Sequence, residues 1–300
     1  KNKITQIEGT GRFISKTTLE VKNGKKTEKV EAEKTIIATG ARPRTFPGME
    51  LDGKRVISYK EAMILEAPPK KMIIIGSGAI GCEFAYYYNE FGTEIHMVEM
   101  LDRLLPIEDA DVSKEVEKSF KKSGIKVYKG TKVSRINSLK KKVKVYTERN
   151  GKEEILEGDV ALLAVGVKGN IENMGLEELG IETDRGAITI NKFNQTILPN
   201  IYAIGDVSGP PWLAHVASAQ GHVAVDHAVG HSATPVDYSN IPGCTYCQPQ
   251  VGSLGMTEVQ VKEAGHDVKV GKFLFQASGK AMAGGYTSGF VKIIVDAQFW

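Results

Sequence analysis

The chain has 300 residues, of which 41% are hydrophobic and 25% charged, proportions of a globular protein that exclude a disordered one. Its 39 basic and 36 acidic residues leave a formal charge of +3, too balanced to mark nucleic acid or an anionic membrane as the main partner. Three cysteines cannot make a disulfide framework and point to a reducing compartment, and no apolar run approaches the ~20 residues of a membrane span.

The first 40 residues are expected to form strands at Ile4–Ile7, Arg12–Ile14, Thr18–Val21, Thr27–Val30 and Thr35–Ala38, with a hairpin turn at Asn23-Gly24. A Pro- and Gly-rich loop, Arg42 to Gly48, marks the first boundary. From Lys71 the pattern alternates between strand and helix. Strands are expected at Lys71–Ile75, Glu94–Glu99 and Lys126–Lys129, with helices at Ala79–Phe91 and Asp111–Ser123 between them. Residues 131–157 suit an antiparallel meander around Asn150-Gly151, followed by a buried strand at Val160–Val165. Alternating strands and helices imply right-handed crossovers and a parallel sheet, an α/β fold. Further on come a strand at Ile201–Ile204, a helix at Leu213–Val229, a composition shift at Asn240, and strands at Val268–Phe275 and Gly289–Val295. The absence of an initiator Met before Lys1 suggests an excised piece.

The sharpest local signal is Gly76-Ser77-Gly78-Ala79-Ile80-Gly81, which follows an expected strand and opens an expected helix. Gly76 permits a tight turn, Gly78 lets a pyrophosphate approach the backbone, and Gly81 lets helix and strand pack closely. Glu99 closes the next strand 21 positions after Gly78, near the ~20 expected of a carboxylate that takes the adenine ribose diol. Met100 and Leu101 offer no cation for a 2′-phosphate, so NAD is favoured over NADP. Glu83 is either a charge favourable to the helix start or a polar group near the nicotinamide. Asp206, at the end of Tyr202-Ala203-Ile204-Gly205-Asp206, either accepts from a sugar or ribitol hydroxyl or caps a turn.

The order of motifs resembles the flavoprotein disulfide reductases, most closely the dihydrolipoyl dehydrogenases. The resemblance rests on Gly9–Phe13, Ile36–Gly40, Gly78–Glu83, Val98–Pro106 (VEMLDRLLP), Tyr202–Asp206 and Leu213-Ala214-His215, spread over nearly the whole chain. It implies an NAD-binding Rossmann-like domain, residues 48–166, inserted into a partial FAD-binding domain, residues 1–47 and 167–239. Part of an α+β interface domain would follow at 240–300. Gly11, Thr39, Gly40 and Ala41 match backbone positions that touch FAD, Asp206 the carboxylate on the flavin ribitol, and Trp212, Leu213, Ala214 and His215 the segment under the flavin ring. Gly76, Ser77, Gly78, Ala79, Ile80, Gly81, Glu83, Glu99, Val133 and Gly166 match the NAD site, which favours the nicotinamide role for Glu83.

The activity implied is oxidation of protein-bound dihydrolipoamide through a redox disulfide and FAD, with reduction of NAD. The partners implied are lipoyl-bearing proteins of 2-oxoacid dehydrogenase or glycine cleavage complexes and a second copy in a homodimer. No nucleic acid or membrane partner is expected, and the location is cytoplasmic, or the mitochondrial matrix in a eukaryote. The family's redox cysteine pair and its His–Glu pair have no match here, so no catalytic residue is assigned and the isolated chain is expected to be inactive on lipoamide. Cys244 and Cys247 have the spacing of a redox dithiol or half a zinc site, but without a convincing helix start or second ligand pair. Cys82 is expected to be a buried small residue, and His227 and His231 to be solvated or capping near a helix end rather than metal ligands. Rival readings are a soluble transhydrogenase or mercuric reductase type, and a non-catalytic NAD-binding module.

Overall fold

The computed structural model describes residues 2–298. The chain forms two compact units, each assembled from two separated stretches: Lys1–Arg42 with Val167–Tyr238, and Pro43–Gly166 with Ser239–Trp300. The second unit's first stretch is therefore inserted between the two stretches of the first.

In the first stretch, β1 (Thr10–Phe13), β2 (Thr18–Asn23) and β3 (Lys26–Glu31) form an antiparallel meander. Asn23 pairs with Lys26, and Gly24 takes φ +60° in the two-residue turn between them. The expected strand at Ile4–Ile7 does not form: Ile4 is 83% exposed, and an apolar alternation without a neighbouring strand has nothing to bury against. After β4 (Thr35–Ile37) the chain reaches β5 (Ala41–Pro43) and leaves for the second unit.

That unit opens with β6 (Val56–Ile57) and α1 (Tyr59–Ala62), capped by Ser58 and Glu61. It continues with β7 (Lys71–Ile75), α2 (Ala79–Glu90), β8 (Glu94–Val98), α3 (Ala110–Lys122) and β9 (Lys126–Tyr128). A meander of β10 (Lys132–Ser138), β11 (Val143–Arg149) and β12 (Lys152–Gly158) precedes β13 (Val160–Leu163). The five-stranded sheet has the order β6-β13-β7-β8-β9, parallel throughout. Both faces of β7 are apolar because both are covered. Met72 and Ile74 pack with Cys82, Ala85, Val116 and Phe120 of the helices. Ile73 and Ile75 pack with Val143, Val145 and Leu156 of the meander. Each such isoleucine contributes about 1.5–3 kcal/mol of burial. Sheet order reverses between β13 and β7, which opens the ligand crevice of a doubly wound fold at their carboxyl ends.

The first unit resumes with β14 (Val167–Gly169), β15 (Thr183–Asp184), β16 (Ala187–Ile188), β17 (Ile201–Ala203) and α4 (Ala214–Ala228). Here β17 pairs in parallel with β4, Thr35 opposite Ile201, in a sheet of two strands. Their buried side holds Phe13, Ile37, Leu176, Ile201 and Val207, while Ile36 is 37% exposed.

The last stretch carries the hairpin β18 (Gly243–Thr245) and β19 (Val251–Ser253), then α5 (Glu258–Glu263), β20 (Val268–Leu274), α6 (Gly279–Gly284) and β21 (Phe290–Asp296). It is tied to the parallel sheet's helices within the same unit. Cys247 and Val251 join their apolar cluster, and Ser119 Oγ donates to the Gln248 carbonyl at 2.8 Å. The buried Lys292 ammonium reaches Asp109 (2.9 Å), Asp111 (3.2 Å) and Glu258 (2.7 Å). Those three carboxylates raise its pKa against the opposing effect of burial.

Candidate nucleotide site

Two strands of the parallel sheet deliver glycines to the crevice. At the end of β7, Gly76 takes φ +99°, and a Cβ there would meet the Ala164 carbonyl oxygen at 2.4 Å. A Cβ on Gly81 would stand 2.1 Å from the Gly76 oxygen, so these two glycines are required by the protein's own packing. Gly78 differs: nothing lies within 4 Å of its would-be Cβ. It is the N-cap of α2 and makes no side-chain cap, so no side chain of the cap spends the first amides of the helix, which begin at Ala79 and Ile80. Room at the backbone and unspent amides suit a pyrophosphate.

Glu99 follows β8 and is 8% exposed. Its Oε2 accepts from Ser77 N (2.8 Å) and Ser77 Oγ (2.7 Å), and its Oε1 accepts from Leu101 N (2.8 Å). The VEMLDRLLP segment folds back over this turn: Leu104 and Leu105 are buried, and Leu105 N donates to the Ser77 carbonyl at 2.9 Å. Val133 is buried on β10 beside this edge, two residues after Thr131, whose amide donates to the Glu99 carbonyl. Gly166, just beyond β13, has φ +91° and no atom within 4 Å of a would-be Cβ. The structure thus brings Gly76–Gly81, Glu99, Val133 and Gly166 to the carboxyl edge of one sheet.

Glu83 is the fifth residue of α2, outside the first turn, so the helix-start charge is corrected. Its Oε1 accepts from the backbone amide of Tyr246 at 2.8 Å, a partner 163 positions away that no local pattern announces. Next to each end of that bond lies a buried thiol. Burial, followed by the neighbouring Cys247, pushes Cys82 well up; burial and then Glu83 push Cys247 up to about 12. Cys244 is exposed, and the three cysteines are free thiols. No cluster of three or more metal-ligating side chains occurs among the described residues.

In the other unit, β17 leads through Ile204 into a short 3₁₀ turn, Gly205–Ser208, that opens on Gly205 (φ +70°) and carries the half-buried Asp206. Gln220 Oε1 takes the Gly205 amide at 2.7 Å. Helix α4 starts after Leu213 with no side-chain cap, and Trp212, Ala214 and His215 at its mouth are exposed. Gly40 takes φ +68° after β4, and Thr39 is engaged with Asn170 through its hydroxyl (2.9 Å) and carbonyl (2.8 Å). Ala41 opens β5, and Gly11 lies in β1 opposite Val21. Phe13, Ile37 and Val207 share one core and so hold the ends of β1, β4 and β17 together. An uncapped helix start, a half-buried carboxylate and positive-φ glycines in one unit suit a phosphate-bearing, hydroxyl-rich ligand such as FAD. His227, in the last turn of α4, is half-buried, with Nδ1 2.9 Å from Tyr202 Oη and its ring stacked on Phe193 at 4.5 Å, while His231 just beyond the helix is exposed.

With this geometry in hand, the chain's kinship is plain. The pattern described as "Pyridine nucleotide-disulphide oxidoreductase" matches residues 1–221, and that family's dimerisation domain matches residues 241–300. The chain belongs to this family. It is 45% identical over 269 residues to the dihydrolipoyl dehydrogenase of Rhizobium etli, covering 89% of this chain and 56% of that protein. It is 43% identical to that of Zymomonas mobilis, covering 99% and 65%. Among solved structures, LpdA from Mycobacterium tuberculosis superposes with a TM-score of 0.89 at 29% identity, covering 97% of this chain and 64% of that one. The HOCl-induced flavoprotein disulfide reductase RclA from Escherichia coli gives 0.86 at 28% identity, covering 97% and 66%. The chain therefore spans less than two thirds of the length of these curated relatives.

Proposed function

We propose that this chain carries the nucleotide-binding part of a dihydrolipoyl dehydrogenase, which oxidises protein-bound dihydrolipoamide through a redox disulfide and FAD and reduces NAD. The observation that carries the reading is the glycine turn of β7 set against Glu99, with open backbone at Gly78. Identities of 43–45% to proteins named for that activity support the choice within the family. In this reading the amides that open α2 hold the NAD pyrophosphate, and Glu99 accepts from the adenine ribose diol. Glu83 and the Tyr246 backbone stand on the nicotinamide side. Gly11, Thr39, Gly40, Ala41, Asp206 and the 212–215 segment serve FAD, whose chemistry when bound is the two-electron relay between thiol and nicotinamide.

Residues 240–300 belong to the interface of a homodimer in this reading, consistent with the dimerisation-domain match. Lipoyl-bearing proteins of 2-oxoacid dehydrogenase or glycine cleavage complexes are the further partners, met in the cytoplasm or the mitochondrial matrix. No helix among the described residues is long and apolar enough to cross a membrane.

The test is a fluorescence titration of NADH into the purified chain. Binding is expected, and Gly78→Val should remain folded by circular dichroism yet lose it, because the added side chain fills only ligand space. Failure of the unsubstituted chain to bind NADH, or tighter binding of NADPH, would overturn the reading.

A further inference from the structure

Ser77 has no solvent exposure, and each of its polar groups is spoken for. Its amide and hydroxyl converge on one oxygen of Glu99, while its carbonyl takes the Leu105 amide and the Cys82 thiol, the latter at 3.3 Å. The backbone cannot carry the hydroxyl elsewhere. Gly76 before it is wedged against Ala164, and Gly81 is wedged against Gly76. Glu99 in turn is tied at both oxygens, the second by Leu101 N. An ionised carboxylate accepts at about four lone-pair sites. With three filled, its torsion is fixed and roughly one remains for a ligand.

We propose that Ser77 is a positioning residue for cofactor choice, clamping Glu99 so that it accepts an unphosphorylated adenine ribose and repels a 2′-phosphorylated one. This rests on the reading of Glu99 given above and adds the residue that acts through it. A carboxylate free to rotate can swing away from an approaching phosphate; one held by charge-assisted bonds from Ser77 and Leu101 cannot. The neighbouring Met100 and Leu101 supply no cation to relieve the repulsion. An alanine would fill nearly the same volume, so the hydroxyl's distinctive contribution is the bond to Glu99.

The experiment measures Kd for NADH and for NADPH by fluorescence titration on the unsubstituted chain, S77A, E99Q and the double variant. S77A is expected to shrink the preference for NADH about 3- to 10-fold, the scale of one ordinary hydrogen bond, because the Ser77 and Leu101 amides still hold Glu99. In the E99Q background, S77A should leave the preference unchanged, because a residue acting through Glu99 has nothing left to position. A purely structural serine would weaken both nucleotides alike and leave the ratio alone. S77G serves the same comparison if S77A does not fold. An unaltered preference in the single variant, or an equal loss in both backgrounds, overturns the proposal while leaving the NAD reading standing. A chain that binds NADH and NADPH equally overturns both.

Discussion

The two units solve the same problem, holding a parallel strand that ends in a glycine turn, with unequal means. In the inserted unit, β7 lies third in a five-stranded sheet, with β13 and β8 bonded to its two edges and apolar layers on both faces. In the other, β4 pairs with β17 alone, and Ile36 of β4 is 37% exposed. The contrast teaches that a positive-φ glycine does not make a rigid site; the flanking strands and layers do. The glycine turn of β7 is over-determined, whereas that of β17 leans on one neighbour and on Gln220.

Gly81→Val attacks that contrast most strongly. Its Cβ would lie 2.1 Å from the Gly76 oxygen, so a loss of about 3 kcal/mol or more is expected, seen as a lowered denaturant midpoint and absent NADH binding. Hydrogen exchange should quicken across β7 and β8 and leave the β1–β3 meander unchanged; equal quickening everywhere would erase the distinction between the units. Lys292→Met probes the seam within the inserted unit. It leaves Asp109, Asp111 and Glu258 without their shared cation, and a loss of about 3 kcal/mol is expected. Exchange protection should fall first at α5 and β21, and unchanged protection there would show that the ammonium does not hold them.

The smallest effect is a pH dependence at the amino-terminal edge of the same sheet. His96 is buried, with Nε2 on Glu94 (2.9 Å) and Nδ1 on Tyr128 Oη (3.0 Å). Burial lowers its pKa below 6.5, aided by Lys71 and Lys126 and opposed by Glu94. The unfolded chain therefore takes up this proton first, and the stability linked to His96 is lost as pH falls below 6.5. Thermal melts of His96→Gln should be flatter than those of the unsubstituted chain just below that pH. Glu94, held at about 2 by Lys126 and His96, adds its own loss only below pH 4.5, which separates the two windows.

The β7–α2–β8 run, its glycine turn and Glu99 were legible from periodicity and spacing, because burial on a sheet and the turn that follows it are local properties. Strand boundaries fell within a residue or two for the same reason. Ile4–Ile7 misled because an alternating pattern says which face could be buried, not whether a neighbour exists. The two residues of β6 were too few to make a pattern, although Ser58 and Glu61 of the following capping box stood in plain view. Partners across the chain were not legible at all. Nothing near Glu83 points to Tyr246, and nothing near Lys292 points to Asp109, since such pairs are fixed only once the layers have packed.

The pairing of Thr35 with Ile201 also sets a timetable. During synthesis at about 5–20 residues per second, β4 must wait roughly 10–30 seconds before its partner leaves the ribosome. In that interval the whole parallel sheet from β6 to β13 has been made and can close, while the β1–β3 meander can form from its own hairpins. The birth order of the molecule therefore runs inside out: the parallel sheet can close before the two stretches of the surrounding unit meet, and Ser239–Trp300, which completes the inserted unit, is made last of all.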